Sequence, residues 1–371
     1  MGLILNDLKN ACELEHVCDY VNNRTTSSMN YISTENMLPN KGGISESTII
    51  PPGTTTEYKI GDILISNIRP YFQKIWCADR CGGCSADVLC IRAKENTDSK
   101  YLYYLLSQQA FFDYVMSGAK GCKMPRGDKK QIMQWPVNIP AIDVQKKVVA
   151  ILSSLDNKIR LNRRINDNLE EQAKALFKSW FVDFEPFKGG KFVDSELGLI
   201  PKGWSTGTIY SYIDVIYGAP YKSALFNDKK QGLPLIRIRD LKTYTPQYYT
   251  KEVLPNTEYV ECGDIIAGMD AEFIPHIWRG EKGVLNQRLC KFVPKYDYVS
   301  KYYIYSLVYP KLAFVQSYKV GTTVSHLGKA DIDRFKVIVP PEDIIMQYSK
   351  IVNSYFAEIV KVSNENQILS S

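Results

Sequence analysis

The sequence repeats itself after about 200 residues, so whatever fold it adopts has to be built twice. Tyr58-Lys-Ile-Gly61-Asp62-Ile63-Leu64-Ile65 returns as Tyr259-Val-Glu-Cys-Gly263-Asp264-Ile265-Ile266, and Ser99-Lys100-Tyr101-Leu-Tyr103 returns as Ser300-Lys301-Tyr302-Tyr303-Ile304-Tyr305. Further on, Val115, Gly121, Ile132, Trp135, Val137 and Pro140 correspond to Val315, Gly321, Ile332, Phe335, Val337 and Pro340. Near the start the match is weaker: Tyr31-Ile32 to Asn36-Met37 against Leu235-Ile236 to Asp240-Leu241. Within each copy the pattern predicts short strands, many loops and one tyrosine-rich helix, near 100–115 and 301–316. The fold class is α+β.

Each copy ends on a short apolar strand, a proline and a helical sequence. In the first helix, positions 148, 152, 155, 159, 162, 166, 169, 173, 176 and 180 step by four and three, and all are apolar except Asn162 and Asn166. That is a heptad seam, in which the two asparagines either fix register or partner orientation at a cost in stability or mark a simple solvated break. Tyr348, Val352, Tyr355, Ile359, Val362, Asn366 and Leu369 carry the same seam in the second helix. Two matching stripes in one chain are expected to pair as antiparallel coiled-coil helices, relating the two domains by a pseudo-twofold. From Ile142 to about Val182 the first helix is a rod of about 60 Å. The second reaches Ser371 after about 30 residues, so either the rod is asymmetric or another chain completes it. Domains are therefore expected at 1–140 and 187–340, with a spacer helix at 141–186 and a C-terminal helix at 341–371. Phe181 to Gly190 reads as helix exit and linker.

Hydrophobic residues make up 45% and charged residues 23%, enough to fold throughout. The start has only a four-residue apolar patch before Asn6 and Asp7, and no segment has the length of a membrane helix, so no membrane role and a cytoplasmic location are expected. Nine cysteines without a secreted framework suit reduced thiols. Cys81-Gly-Gly-Cys84 has the spacing of half a zinc site, but Cys77 and Cys90 flank it unevenly; buried strand cysteines are the simpler reading, and no metal is expected. The formal charge of +6 is compatible with a polyanion. Positives concentrate between Lys120 and Lys178, where phosphate neutralisation and a solvated helix face are both open.

No catalytic centre is legible. A glycine-rich cofactor loop with an Asn- or Asp-Pro-Pro-aromatic motif is missing, as is a P-loop. His16, His276 and His326 are far apart, and Asp183, Glu185 and Lys188, which could suggest a nuclease, sit in a helix exit. What remains are loops mixing positive, amide and aromatic side chains. Arginine can bridge guanine O6 and N7, and asparagine or glutamine can do the same for adenine, while lysines more often meet phosphates. The DNA-binding candidates are Asn67, Arg69, Tyr71, Gln73, Lys74, Lys120, Lys123 and Arg126 in copy one. In copy two they are Arg237, Arg239, Arg279, Gln287, Arg288, Lys319 and His326.

Several of these motifs together resemble the specificity subunits of type I restriction-modification systems. In copy one they are Gly61-Asp-Ile-Leu-Ile-Ser-Asn-Ile-Arg69-Pro70-Tyr71-Phe and Cys84-Ser85-Ala-Asp87-Val-Leu. In copy two they are Pro201-Lys-Gly-Trp204, Gly263-Asp264 and Leu285-Asn286-Gln287-Arg288, with Lys178-Ser-Trp180-Phe181-Val-Asp183-Phe184-Glu-Pro186-Phe between the copies. The resemblance implies a non-catalytic subunit in which each copy reads one half of a split target in double-stranded DNA. It further implies that the helices set the gap and dock two methyltransferase subunits, which bring S-adenosylmethionine. Restriction subunits, with ATP and Mg, then join; this chain itself binds no cofactor. Copy one lacks a Pro-x-Gly-Trp-like opening, and the C-terminal helix is short, which touches the usual stoichiometry. Two alternatives stay open: a protein-only scaffold with two interaction domains on a coiled coil, and a subunit of a related system with one fused enzyme.

Overall fold

The computed structural model describes residues 11–26, 30–47, 53–121, 123–319 and 326–370. Its helices are α1 (Ser99–Leu106), α2 (Gln109–Ser117), α3 (Lys129–Met133), α4 (Ile142–Phe181), α5 (Lys301–Lys319), α6 (Lys329–Asp333) and α7 (Glu342–Ser370). The chain divides into two units between Leu155 and Asp156, inside α4. About the first four turns of α4 thus go with copy one. Gln145 ties them there: fully buried, it accepts from the Asp98 amide (2.9 Å) and donates to the Asn96 and Pro140 carbonyls (3.1 and 2.8 Å).

In the first unit a four-stranded antiparallel sheet runs in the order Cys18–Tyr20, Val88–Ala93, Ile63–Ser66, Ile75–Cys77. Strand side chains alternate between faces, and here both faces are covered. Ile63, Ile65, Leu89 and Ile91 pack with Leu102, Leu106, Phe111 and Phe112 of α1 and α2. Leu64, Val88 and Cys90 pack with Tyr58, Trp76 and Cys84. That double burial is why Ile63-Leu-Ile-Ser reads as a continuous apolar run. The second face is closed by a three-stranded sheet, Arg24–Thr25, Thr55–Tyr58 and Gly82–Cys84.

The second unit repeats the plan: Ile213–Tyr217, Leu289–Pro294, Ile265–Gly268 and Pro275–Ile277 take the same order. Ile265, Ala267, Cys290 and Phe292 face α5, and Ile266 and Leu289 face the other way. Even the weak match near the start holds, since Ile32 makes a parallel bridge to Cys84 and Ile236 a parallel pair with Leu285. Gly321 lies outside the described residues.

Two details differ from the sequence reading. Copy one has two helices where one is expected, because Ser107 turns its hydroxyl onto the Tyr103 carbonyl (2.6 Å) and Gln108 is extended at ψ 147°. Local side-chain bonds of this kind compete with helix continuation. Copy two keeps one helix and carries Pro310 inside it. The expected linker is anchored to the core: half-buried Phe184 and Phe187 pack edge-on against Trp204 (ring centroids 5.5 and 4.9 Å), and a hairpin, Phe192–Ser195 with Gly198–Pro201, follows.

Within the second unit α4 and α7 run antiparallel along the predicted seam. Asn162 donates to Glu365 and Asn366 (2.8 and 2.9 Å), Asn166 to Ser363 (3.0 Å), and Tyr348 packs against Phe177, Trp180 and Phe181. Tyr348, Val352, Ile359 and Val362 are buried as the heptad requires. No helix among the described residues is long and apolar enough to cross a membrane.

Candidate nucleic-acid interface

In copy one, three loops meet at the end of the central sheet. The loop after Ile63–Ser66 is pinned from two sides: the Asn67 amide donates to the Asp87 carbonyl (2.9 Å), and the Gly127 amide to the Asn67 carbonyl (3.3 Å). Ile68 bridges Arg126, and the Arg69 amide donates to the Pro125 carbonyl (2.8 Å). Candidates 57 residues apart in sequence, Arg69 and Arg126, are thereby brought to one corner.

Copy two builds the same corner with the same bonds. The Met269 amide donates to the Arg288 carbonyl (2.9 Å), the Leu327 amide to the Met269 carbonyl (2.7 Å), and Asp270 bridges His326. Met269 thus stands for Asn67, Asp270 for Ile68, Arg288 for Asp87 and His326 for Arg126. The frame is duplicated and its side chains are not. In copy one Arg126 pairs with Asp87 (3.1 Å). In copy two Asp270 accepts from both His326 (2.7 Å) and Arg288 (3.2 Å). The sign of the charge at the 87/288 position is reversed.

Around the first corner, Asn67 is buried with Oδ1 lacking a hydrogen-bond partner, and a Cβ on Gly127 would fall 2.9 Å from that oxygen. Glycine at 127 is therefore what leaves room for the Asn67 amide. Arg69, Tyr71, Lys120, Lys123 and Arg126 are exposed. Lys120 reaches Asp128 (3.2 Å), Gln73 bonds the Gln109 amide, and Lys74 donates to the Thr34 carbonyl (2.7 Å). Burial holds the Lys74 ammonium below the usual lysine range.

Around the second corner Gln287 and Arg288 are exposed, and Lys319 is held by Asp331 and the His326 carbonyl (2.6 and 2.9 Å). Arg237 stacks on the Tyr248 ring at 4.3 Å, with Nε and Nη2 buried and unpartnered; desolvation lowers its pKa, as does the neighbouring Arg239 charge. Arg239 is exposed. Arg279 is placed elsewhere, paired with Glu170 of α4 and lying over Tyr244. It ties copy two to the helix pair and faces no loop of the corner.

Asp87 and Asp270, which orient the arginines, were invisible as single acidic residues. Aligning the copies residue by residue across Asp87/Arg288 and Arg126/His326 is the signal that finds them. Cys77, Cys81, Cys84 and Cys90 fall on separate strands and turns: burial pushes the Cys77 thiol up to about 11 and Cys84 to about 12, and raises Cys90 as well. Asp183 and Glu185 are paired with Lys178 and Lys188.

A sequence profile described as the type I restriction modification DNA specificity domain matches residues 9–171 and again 201–370, one match per copy. The chain belongs to the type I restriction-modification DNA specificity family. Among members of that family, it is 26% identical over 304 residues to the MjaIX specificity subunit of Methanocaldococcus jannaschii, covering 74% of this chain and 66% of that one. It is 34% identical over 143 residues to the Escherichia coli EcoBI specificity subunit, covering 38% and 30%. To the Haemophilus influenzae HindI specificity subunit it is 23% identical, covering 92% and 90%. A solved type I S subunit from M. genitalium aligns over 100% of this chain and 95% of its own, at 13% identity and a TM-score of 0.49. Membership in a DNA specificity family does not favour the protein-only scaffold.

Proposed function

We propose that this chain is the non-catalytic DNA-reading subunit of a type I restriction-modification complex, each copy recognising one half of a bipartite duplex target. The observation that carries the reading is the duplicated corner: one backbone frame, held by matching hydrogen bonds, presents Arg126 and Asp87 in one copy and Arg288, His326 and Asp270 in the other. A frame that fixes geometry while the exposed side chains differ is what two readers of two different short sequences need, because direct readout depends on which donors and acceptors face the base edges. Lys120 and Lys123, both exposed, meet phosphates in this reading. The α4–α7 pair sets the distance between half-sites and docks two methyltransferase subunits carrying S-adenosylmethionine; restriction subunits using ATP and Mg join that core, in the cytoplasm.

The test is genome-wide mapping of methylated adenines in cells carrying this chain with its neighbouring methyltransferase, against cells lacking the chain. A new motif of two short defined blocks separated by a fixed unspecified gap is the expected result. Unchanged methylation, with both proteins present and associated, would overturn it.

A further inference from the structure

At the tip of the loop after Ile63–Ser66 copy one holds a pair of aromatic rings out of its core, and the matching tip of copy two does not. Tyr71 is 49% exposed and Phe72 38%, with ring centroids 4.7 Å apart. Isolated exposed aromatics are common on surfaces, but the backbone beneath these two is unusual. They lie on a short turn, Pro70–Phe72, whose flanking residues Arg69 and Gln73 are both left-handed (φ 51° and 50°). The loop that crosses the turn is left-handed too, at Asn40 and Lys41 (φ 54° and 59°), and its amides donate to the Phe72 and Gln73 carbonyls (2.8 and 3.0 Å). Four of the five non-glycine residues with positive φ described in copy one are therefore at this spot. Such conformations cost free energy and persist where surrounding bonds over-determine them, most often at sites of function. Positive charge lies near the tip: Arg69 just before the turn, Lys74 at 5.9 Å from the Phe72 ring, and the loop carrying Lys120, Lys123 and Arg126, held to the Arg69 amide through the Pro125 carbonyl.

At the matching place copy two turns its aromatic inward. Ala271 is left-handed (φ 60°), Glu272 is acidic, and Phe273 is fully buried with its amide donating to Gln316 (2.6 Å). An acidic tip with no exposed ring has nothing to stack on a base.

We propose that Tyr71 and Phe72 form a wedge that enters a base step of duplex DNA and unstacks it, in the half-site read by copy one only. The inference rests on the DNA-reading function above and adds a deformation to it. Apolar side chains inserted between base pairs partly unstack them and kink the duplex, and a rigid, pre-formed tip with cations nearby is suited to that work.

The experiment uses the assembled complex with its methyltransferase and duplexes carrying the mapped bipartite motif, with 2-aminopurine placed in turn at each purine of both half-sites. Binding is expected to raise fluorescence several-fold at one step of one half, at a position other than the methylated adenine, with no such rise in the other half. The double variant Y71A/F72A should abolish the rise and weaken binding, while the second half-site is still discriminated. Y71W should restore it, which separates a lost ring from a misfolded loop. Site-specific binding with no rise at any such position would overturn the wedge and leave the reader standing. A rise that survives Y71A/F72A, or a variant that loses the methyltransferase while still reading DNA, would overturn it as well. Failure of the unaltered complex to bind any mapped motif would instead strike the DNA-reading function itself.

Discussion

Arg279 and Arg288 show how far apart two similar arginines can fall. Arg288 stands exposed at the corner with Asp270 steadying one edge of its guanidinium. Arg279 is mostly covered and is paired with Glu170. The two truncations should therefore separate. R288A is expected to cost about 1–3 kcal/mol of base discrimination, read as a relaxed motif in the second half-site only, with equal loss in both halves contradicting the two-reader arrangement. R279A should leave the motif sharp and lower the thermal midpoint, because Glu170 is left desolvated without its partner. Nothing in the residues around either arginine distinguished them in the sequence. Both are arginines in loops between apolar strands, and their fates depend on Glu170 and Asp270, partners 109 and 18 positions away. Arg69 and Arg126 were legible as candidates, but their meeting was not, since it comes from backbone bonds between loops with no side-chain pattern of their own.

The α4–α7 pair is the element that the sequence specified best. Its 3.5-residue period gave the partner, and α4 spans Ile142–Phe181 against an expected end near Val182. Asn162 and Asn166 are buried in the seam, each with its Oδ1 unpartnered and its amide nitrogen committed to α7. Exchanging both members of one polar contact for apolar groups, N166L with S363A, removes a half-satisfied pair. The thermal midpoint is expected to be unchanged or to rise. If register is what the asparagines set, the mapped gap between half-sites should then become less uniform; a single sharp gap with a lowered midpoint would show that they act through stability. Local chemistry escaped the periodicity argument in two places. Ser107 splits one helix through a bond to a carbonyl four residues back, and Pro186 with two glycines nearby reads as linker although Phe184 and Phe187 are packed on Trp204. Breakers mark where a helix stops, and they say nothing about whether the chain beyond it is buried.

For the molecule as a whole, duplication made the α+β plan legible, because each weak strand signal was seen twice at a fixed spacing. The same duplication makes the contacts of the second unit distant in sequence. Tyr348 bonds the Ala173 carbonyl across 175 positions, and Asn162 reaches Glu365 across 203. A chain grows from its N-terminus at about 5–20 residues per second. The aromatic end of α4, with Phe177, Trp180 and Phe181, is therefore made on the order of ten to thirty seconds before Tyr303 and Tyr348 exist to cover it. A ribosome-bound chain halted after Trp204 and before Glu342 is expected to be cut by protease within α4, while the released full-length protein resists there; equal protection of both would mean that the helix finds other cover. During synthesis α4 is an apolar stripe with its mate still unwritten, and crowding of several ribosomes on one message would bring such stripes together before any of them is closed.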